Sequence, residues 1–313
     1  MQGESMISRR GFNVLAAAGL MGLPLARSTQ ADPPGKPGWI DAHVHVWTPD
    51  LQAYPLDPHF QREDMQPPSF TPEELFAHAR PAGVSRIVLI QMSFYRFDNR
   101  YMLDMIARYP GVFSGVGIVD QQSPDVARQM RELARQGVRG FRLHSRGEDV
   151  ASWVNDPGMT QVWQTARAEG LAVCPLINPQ DLPHIAALCR KFPGTKVVID
   201  HFARIGVSGN IEQDALDTLC GFAKFPDVYV KTSAFYALGK KQAPYTDLLP
   251  MIRRVVDAFG PERLMWASDC PYQVQPPHTY EESLALIRDR AEFLSASDKE
   301  ALLRGTAEKV FFA

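Results

Sequence analysis

Short apolar runs alternate with longer amphipathic stretches along most of the chain, and this alternation indicates the fold. Apolar runs bounded by Gly or Pro predict strands, whereas apolar positions three or four residues apart predict helices. The predicted strands are Trp39–His45, Ile87–Met92, Phe113–Val119, Val138–His144, Ala172–Ile177, Val197–His201, Val228–Thr232 and Leu264–Asp269. The clearest predicted helices are Pro124–Gln136, Met159–Glu169, Asp181–Phe192, Ile211–Phe225 and Tyr245–Phe259. This order predicts an α/β fold, a parallel (β/α)8 barrel of the TIM-barrel type.

The turn after the first strand separates this prediction from its alternative, an open doubly wound sheet. That fold usually places a glycine-rich phosphate-binding turn after its first strand. Here the first strand is followed by Val46-Trp47-Thr48-Pro49, which contains no glycine. The Pro-rich residues 46–70 that follow are expected to form either an ordered loop over the barrel mouth or a surface insertion. Thr71 before Pro72 predicts the start of a helix.

Polar residues stand at the C-terminal ends of strands that are otherwise apolar. They are His43 and His45, Gln91, Arg142 and His144, His201, Lys231 and Ser233, and Asp269. The C-terminal ends of parallel strands meet at one end of a barrel, where barrel enzymes carry their active sites. Burying so many polar groups without a function would cost stability. The pattern therefore predicts a functional site at this end.

The first strand carries the most informative pattern, Asp41-Ala42-His43-Val44-His45. Side chains alternate along a strand, so Asp41, His43 and His45 are expected on one face. Two neighbouring imidazoles can chelate a metal ion or polarise a carbonyl oxygen. His43, His45, His201 and Asp269 together would supply three nitrogens and one oxygen for a cation.

Two cations near the predicted site have two possible roles. Arg142 and Lys231 could bind a substrate carboxylate or sulfonate by charge-assisted hydrogen bonds. Alternatively, they could form internal ion pairs with Asp41 or Asp269. Gln91 and His144, at strand ends, and Tyr54 and Tyr95, on loops, are further expected substrate contacts.

Charge and cysteine content exclude some classes of protein. The 313-residue chain has a formal net charge of −2, without a basic stripe that would indicate nucleic-acid binding. The four cysteines, Cys174, Cys189, Cys220 and Cys270, form no Cys-x-x-Cys pair. We expect buried free thiols, with a disulfide between Cys189 and Cys220 as the alternative.

The first 31 residues have the pattern of an export signal. Arg9-Arg10 precede an apolar run from Val14 to Ala26, which resembles a bacterial twin-arginine signal. The run is too short for a membrane anchor, which needs about 20 apolar residues. We therefore expect a signal peptide over residues 1–31, a barrel domain over residues 32–313, interaction with the twin-arginine export machinery, and a periplasmic or secreted protein.

Four motifs together resemble a known enzyme superfamily. They are Asp41-Ala42-His43-Val44-His45, Gly140-Phe141-Arg142, Ile199-Asp200-His201 and Trp266-Ala267-Ser268-Asp269-Cys270-Pro271. The sequence resembles the amidohydrolase superfamily, in particular the branch that holds fuconolactonases, 2-pyrone-4,6-dicarboxylate lactonase and 4-sulfomuconolactone hydrolase. The resemblance covers essentially all of residues 38–313.

The resemblance implies roles for the matching residues. His43 and His45 would hold a metal ion or the substrate carbonyl, His201 is the matching strand-6 histidine, and Asp269 would take a proton from the attacking water. Metal-using members commonly have a histidine in strand 5, where this sequence has Leu176. The resemblance thus leaves open whether the cofactor is absent or is one divalent cation, zinc or manganese.

The resemblance, together with these residues, implies a hydrolase that opens a lactone or related cyclic ester, with a small anionic substrate. A metal-dependent amidohydrolase or a carboxy-lyase acting on an aromatic or muconate-type acid is the alternative. A non-catalytic binding protein would be expected to lose Asp269, and a serine hydrolase would need a Gly-x-Ser-x-Gly elbow, which is absent. The sequence leaves open whether the chain forms a homo-oligomer.

Overall fold

Eight parallel strands form a nearly closed barrel in the computed structural model, which describes residues 38–145 and 149–313. The strands are β1 (Trp39–Val44), β2 (Val84–Ile90), β3 (Phe113–Gly117), β4 (Val138–His144), β5 (Ala172–Leu176), β6 (Lys196–Ile199), β7 (Val228–Ser233) and β8 (Leu264–Ala267). They pair in chain order from β1 to β8. A parallel bridge between Val44 and Cys270, just past β8, brings the two edges together. The predicted fold class is confirmed.

Helices connect successive strands on the outside of the barrel, as the alternation predicts, and three further helices follow the last strand. In chain order, the helices are α1 (Pro72–Ala79), α2 (Arg100–Arg108), α3 (Val126–Arg135), α4 (Pro157–Ala168), α5 (Leu182–Lys191), α6 (Gln213–Cys220), α7 (Leu249–Phe259), α8 (Tyr280–Ala285), α9 (Ala296–Glu300) and α10 (Thr306–Phe311). The predicted start of α1 is confirmed, since Thr71 caps the helix by accepting from the Glu74 backbone N–H.

Two apolar layers fix the barrel. The inner layer is small and includes Ala42, Val116, Cys174 and Met265, with Phe311 of α10 packed against it. The outer layer, between the strands and helices, holds the larger side chains, such as the fully buried Trp163. Because the apolar inner layer fills the barrel interior, the polar strand ends are left to line the mouth.

Two site residues follow their strands rather than belong to them. β6 ends at Ile199 and β8 at Ala267, whereas the sequence pattern predicts strands through His201 and Asp269. His201 has φ of 51° and Asp269 has φ of 67°. This left-handed backbone is costly for residues other than glycine and persists where its surroundings enforce it, often at functional sites. The strands therefore stop at the point where the chain turns these two side chains to the mouth.

The long first crossover is ordered but contributes no residue to the main cavity described below. An antiparallel bridge joins Trp47 to Phe70 and closes the segment into a loop. Trp47 packs edge-on to Phe94, with ring centroids 5.3 Å apart. The segment therefore braces the rim of the barrel from outside the site.

All four cysteines carry free thiols, so Cys189 and Cys220 do not pair. Within the described residues, no helix is both long enough and apolar enough to span a bilayer. The expected signal peptide lies outside the described residues.

Candidate active site

Three imidazoles surround one carboxylate at the C-terminal mouth of the barrel. His43 Nε2 lies 3.2 Å from His45 Nε2, and each of these nitrogens lies 3.5 Å from Asp269 Oδ1. His201 Nε2 lies 3.8 Å from Asp269 Oδ2. The Nδ1 atom of His201 is hydrogen-bonded to the Ser233 hydroxyl at 2.8 Å. The structure thus brings together the four residues that the sequence marks as the core of the site.

The charges in this cluster follow from burial and from the neighbouring groups. Burial alone would raise the pKa of Asp269, but the imidazoles of His201, His45 and His43 together hold it below its usual range. Burial lowers the pKa of His201 to about 4. Burial, reinforced by the Lys231 ammonium, lowers the pKa of His43 well below its ordinary value. At neutral pH, Asp269 is therefore ionised, and His43 and His201 are neutral.

A buried ion pair lies beside the histidine cluster. Lys231 is fully buried, and its Nζ lies 3.0 Å from Asp200 Oδ1 and 3.0 Å from His43 Nδ1. Burial would raise the pKa of Asp200, but Lys231 and His43 hold it well below the usual range. Arg142 approaches the other carboxylate oxygen of Asp200 at 3.8 Å. Lys231 and Arg142 thus pair with Asp200, not with Asp41 or Asp269 as the internal-pair alternative expected.

The proton positions on the two rings of β1 follow from their partners. An ammonium group only donates hydrogen bonds, so Lys231 donates to Nδ1 of His43, and the neutral ring carries its proton on Nε2. His45 Nδ1 lies 2.9 Å from the Ile90 carbonyl, which can only accept, so Nδ1 of His45 carries a proton. Nε2 of His45 then accepts the hydrogen bond from the protonated Nε2 of His43.

A metal ion at this cluster is compatible with the spacing but not with the hydrogen bonds. His43, His45 and Asp269 each offer one ligand atom, all within 4.8 Å of one another. Metal ligation would require a lone pair on Nε2 of His43, and ligating histidines usually donate their other N–H to a carboxylate or carbonyl. In His43 the other ring nitrogen is Nδ1. It lies 3.0 Å from the Lys231 ammonium, which is a donor, and 3.5 Å from the carboxylate oxygen Oδ1 of Asp200. The residues present therefore do not fit a metal site that uses His43.

A cavity of about 430 Å³ opens onto the cluster. Asp269, His45 and His201 lie on its wall, whereas His43 is fully buried behind them. The polar side chains that complete the wall are Ser93, Arg142, His144, Asn178, Arg204, Tyr236 and Tyr272. Burial, reinforced by the charge of Arg142, lowers the pKa of Arg204. Two guanidinium groups close enough to affect each other favour an anionic occupant.

Tyr236 makes the shortest polar contact with the central carboxylate. Its hydroxyl donates to Asp269 Oδ2 at 2.7 Å. The backbone of Ala234, just after β7, adopts a left-handed conformation with φ of 58°, which starts the turn that carries Tyr236. Tyr272 lines the same cavity, with its ring centroid 6.4 Å from that of Tyr236.

Three expected substrate contacts do not line the cavity. Gln91 is buried and donates to the Asp98 carbonyl at 2.7 Å. Tyr54 donates to Asp104 Oδ2 at 2.7 Å, and the buried Tyr95 hydroxyl accepts from the backbone of the rim loop. Each of these side chains holds a loop or a helix in place by a hydrogen bond. Such a contact cannot be predicted from the position of a residue on a strand or from its aromatic character. Lys231 is likewise sealed in its ion pair and does not line the cavity. Arg142 and His144 lie on the wall, as expected.

Asp41 does not share a face with the two histidines, so that prediction is wrong. Its neighbours Ile40 and Ala42 pack in the inner layer, which turns Asp41 outward. There it accepts from the Tyr280 hydroxyl at 2.7 Å and from the Ser268 backbone at 2.9 Å. The pairing of β1 with β2 is irregular between Asp41 and Val44, and this breaks the simple alternation.

Sequence reasoning missed several polar residues of the site, which are Ser93, Asn178, Asp200, Arg204, Tyr236 and Tyr272. Asp200 belongs to the motif Ile199-Asp200-His201, and its position directly before His201 could have marked it as a site residue. Arg204 follows in the same left-handed turn, with φ of 60°. Tyr236 sits in a loop after β7 and had no periodic pattern to mark it.

Several known proteins have sequences similar to this chain. The amidohydrolase family model matches residues 40–313. L-fucono-1,5-lactonase from Burkholderia ambifaria is 32% identical over 74% of this chain and 80% of its own length. 2-Pyrone-4,6-dicarboxylate hydrolase from Comamonas testosteroni is 28% identical over 79% of this chain and 81% of its own length. 4-Sulfomuconolactone hydrolase from Rhizobium radiobacter is 24% identical over 80% and 81%, respectively.

Solved structures share the fold. An amidohydrolase from Burkholderia multivorans with bound zinc superposes with a TM-score of 0.75 at 23% identity, covering 88% of this chain and 99% of that one. A Pseudomonas putida chain provisionally described as a 2-pyrone-4,6-dicarboxylic acid hydrolase has a TM-score of 0.74 at 26% identity, covering 88% and 98%. The chain therefore belongs to the amidohydrolase family and is a hydrolase.

Proposed function

We propose that this enzyme hydrolyses a lactone that carries an anionic group, with Asp269 as the general base. The observation that carries the proposal is an ionised carboxylate on the wall of a cavity that also holds two guanidinium groups, those of Arg142 and Arg204. The carboxylate can accept the proton of an attacking water, and the guanidinium groups can bind the substrate anion. The lactone-hydrolase relatives support the choice of a cyclic ester.

The rings around Asp269 take different parts in the proposed reaction. We assign His201 the tautomer in which the Ser233 hydroxyl donates to Nδ1 and the ring proton is on Nε2, toward the cavity, so that His201 is the ring placed to polarise the carbonyl. His45 lies beside Asp269 Oδ1 and forms the wall against which the water sits; its Nε2 lone pair is already taken by the hydrogen bond from His43. His43 holds His45 in place from behind. This differs from the expectation that all three rings contact the carbonyl.

The proposed reaction needs no metal ion. The water oxygen bonds to the lactone carbonyl carbon, its proton passes to Asp269, and the negative charge develops on the carbonyl oxygen, where His201 donates. Collapse of the tetrahedral intermediate breaks the bond to the ring oxygen and gives a hydroxy acid. The Lys231 contact with His43 and the presence of Leu176 in β5 both support this choice.

A lactone panel tests the proposed function. The purified protein is assayed by proton release with five- and six-membered lactones, each with and without a carboxylate. We expect carboxylated lactones to be opened, and Arg142→Gln to raise KM for them by about 10- to 100-fold, as for the loss of a charge-assisted hydrogen bond. The uncharged lactones are the matched control, whose KM should change little. Failure to open any lactone, or release of CO2 from an aromatic acid instead, would contradict the proposal.

Metal analysis of the same batch tests the metal-free part. We expect less than stoichiometric zinc and manganese and an unchanged rate after treatment with a chelator. Loss of activity that only zinc or manganese restores would show that a cation acts in the reaction.

We further propose export through the twin-arginine route, on the basis of Arg9-Arg10 before the apolar run. Replacing both by lysine should leave the precursor in the cytoplasm, as measured by cell fractionation. Unchanged periplasmic delivery would point to another route or to no signal.

A further inference from the structure

The hydroxyl of Tyr236 lies in the cavity beside Asp269, and no step of the reaction proposed above involves it. Opening a lactone ring creates an alkoxide, and an alkoxide is a poor leaving group unless it receives a proton as the bond breaks. Asp269 can take the proton of the water, but a second group is needed beside the ring oxygen. Tyr236 lines the cavity and donates to Asp269 Oδ2 at 2.7 Å.

We propose that Tyr236 is a catalytic residue that protonates the leaving ring oxygen and is then reprotonated by Asp269. This inference rests on the proposed lactone hydrolysis. As the carbon–oxygen ring bond breaks, its electron pair passes to the ring oxygen, which takes the proton of the Tyr236 hydroxyl. The resulting phenolate then takes from Asp269 the proton that the water gave up. The protons balance, and both groups return to their starting states.

Other groups on the wall are less suited to this step. Guanidinium groups such as that of Arg142 do not release a proton in proteins. Tyr272 also lies on the wall and its backbone N–H donates to the Asp269 carbonyl, but within the described residues its hydroxyl makes no hydrogen bond to the Asp269 carboxylate. A phenol without that contact has no internal path for regaining its proton. Among the described residues that line the cavity, Tyr236 alone joins a hydroxyl to the base.

The basicity of the leaving oxygen decides how much such a donor helps. The alkoxide of an aliphatic alcohol is strongly basic and needs a proton as the ring bond breaks. A phenolate leaving group is far less basic and gains little from such a donor.

The test compares two leaving groups in Tyr236→Phe. The substrates are two six-membered lactones that each carry one carboxylate, one with an aliphatic ring oxygen and one with an aryl ring oxygen. We expect kcat/KM to fall by about 10²-fold or more for the aliphatic lactone, and by less than about tenfold for the aryl lactone. Tyr272→Phe is the matched control, because it removes a hydroxyl from the same wall. Its effect should be the same factor for both substrates.

The outcomes separate this inference from the proposed function. If the wild-type enzyme opens both lactones but Tyr236→Phe slows them equally, Tyr236 only positions Asp269 and the inference fails. If the wild-type enzyme opens neither lactone, the proposed function itself fails. If the variant does not fold, a series of aryl and alkyl lactones with the wild-type enzyme decides. A shallow dependence of kcat/KM on leaving-group basicity supports an internal acid, and a steep dependence excludes it.

Discussion

Two buried aspartates, each hydrogen-bonded by a tyrosine at 2.7 Å, stand on opposite faces of the barrel wall. The outer pair is Asp41 with Tyr280, and the inner pair is Asp269 with Tyr236. Burial raises the pKa of Asp41 to about 6, against the hydrogen bonds from Ser268 and Tyr280 that lower it. At Asp269, the imidazoles reverse the effect of burial. Both carboxylates have a tyrosine partner, so the partner does not explain why their pKa values shift in opposite directions. The neighbouring groups and the access to a cavity differ between the two sites.

The outer pair is structural. Asp41 accepts from the backbone N–H of Ser268 and that of His43, so it ties β1 to the chain that follows β8. It is fully buried and lines no described cavity. The inner pair, in contrast, is open to the cavity, with Asp269 at 6% exposure. The same two residue types thus join the first and last strands at one place and line the cavity at the other.

The largest expected contrast comes from converting each aspartate to asparagine. Asp269→Asn should lower kcat/KM by about 10³-fold or more, because the amide cannot accept the proton of the water. Asparagine tolerates the left-handed backbone at this position, so the fold should survive. Asp41→Asn should change kcat/KM by less than about tenfold. The measurement is steady-state hydrolysis with circular dichroism on the same samples, and equal losses in the two variants would erase the distinction.

The buried ion pair beside the site can be broken at Lys231. Lys231→Met would leave Asp200 buried with only the more distant Arg142 as a cation, and breaking a buried ion pair in this way costs about 3–5 kcal/mol in the free energy of unfolding. Denaturant titration measures the change. Lys224→Met, on an exposed residue, is the control and should stay within about 0.5 kcal/mol of the wild type. A loss under about 1 kcal/mol at Lys231 would mean that Asp200 does not depend on this ammonium.

The pH dependence of stability should reveal the outer pair. The pKa of Asp41 is higher in the folded state, about 6, than its ordinary 3.8, so protonation favours the folded state. This contribution is complete below about pH 4 and is lost as the pH rises through about 6, and it is worth roughly 3 kcal/mol. The stability of the wild type relative to Asp41→Asn should therefore decrease from pH 4 to pH 7. If this stability difference grew with pH, the pKa of Asp41 would be lowered in the folded state, as that of Asp269 is.

The smallest expected effect is that of Tyr280→Phe. This change removes one hydrogen bond to Asp41 and should lower the free energy of unfolding by about 1–2 kcal/mol. Thermal unfolding measures the loss, and kcat/KM should remain near the wild-type value. A large loss of activity with unchanged stability would show that the outer pair communicates with the site.

The sequence predicts the barrel and the convergence of its polar strand ends because both follow from local pattern. Alternation of strand and helix implies parallel order, and parallel order brings His43, His201 and Asp269 to one end. The placement of Asp41 could not be predicted, because an irregular pairing in β1 overrides simple alternation. The role of Lys231 depends on Asp200, which lies on a different strand end, and Tyr236 is placed by a turn after β7. Such contacts are long-range and leave no periodic signal.

The position of oxygen incorporation shows whether Asp269 activates a water to attack a lactone carbonyl. A carboxylated lactone is hydrolysed in water enriched in ¹⁸O by the wild type and by Asp269→Asn, and the products are analysed by mass spectrometry. We expect one ¹⁸O atom in the new carboxylate, an unlabelled hydroxyl group, and almost no product from the variant. Label in the hydroxyl group, or a labelled product formed by Asp269→Asn at the wild-type rate, would contradict this mechanism.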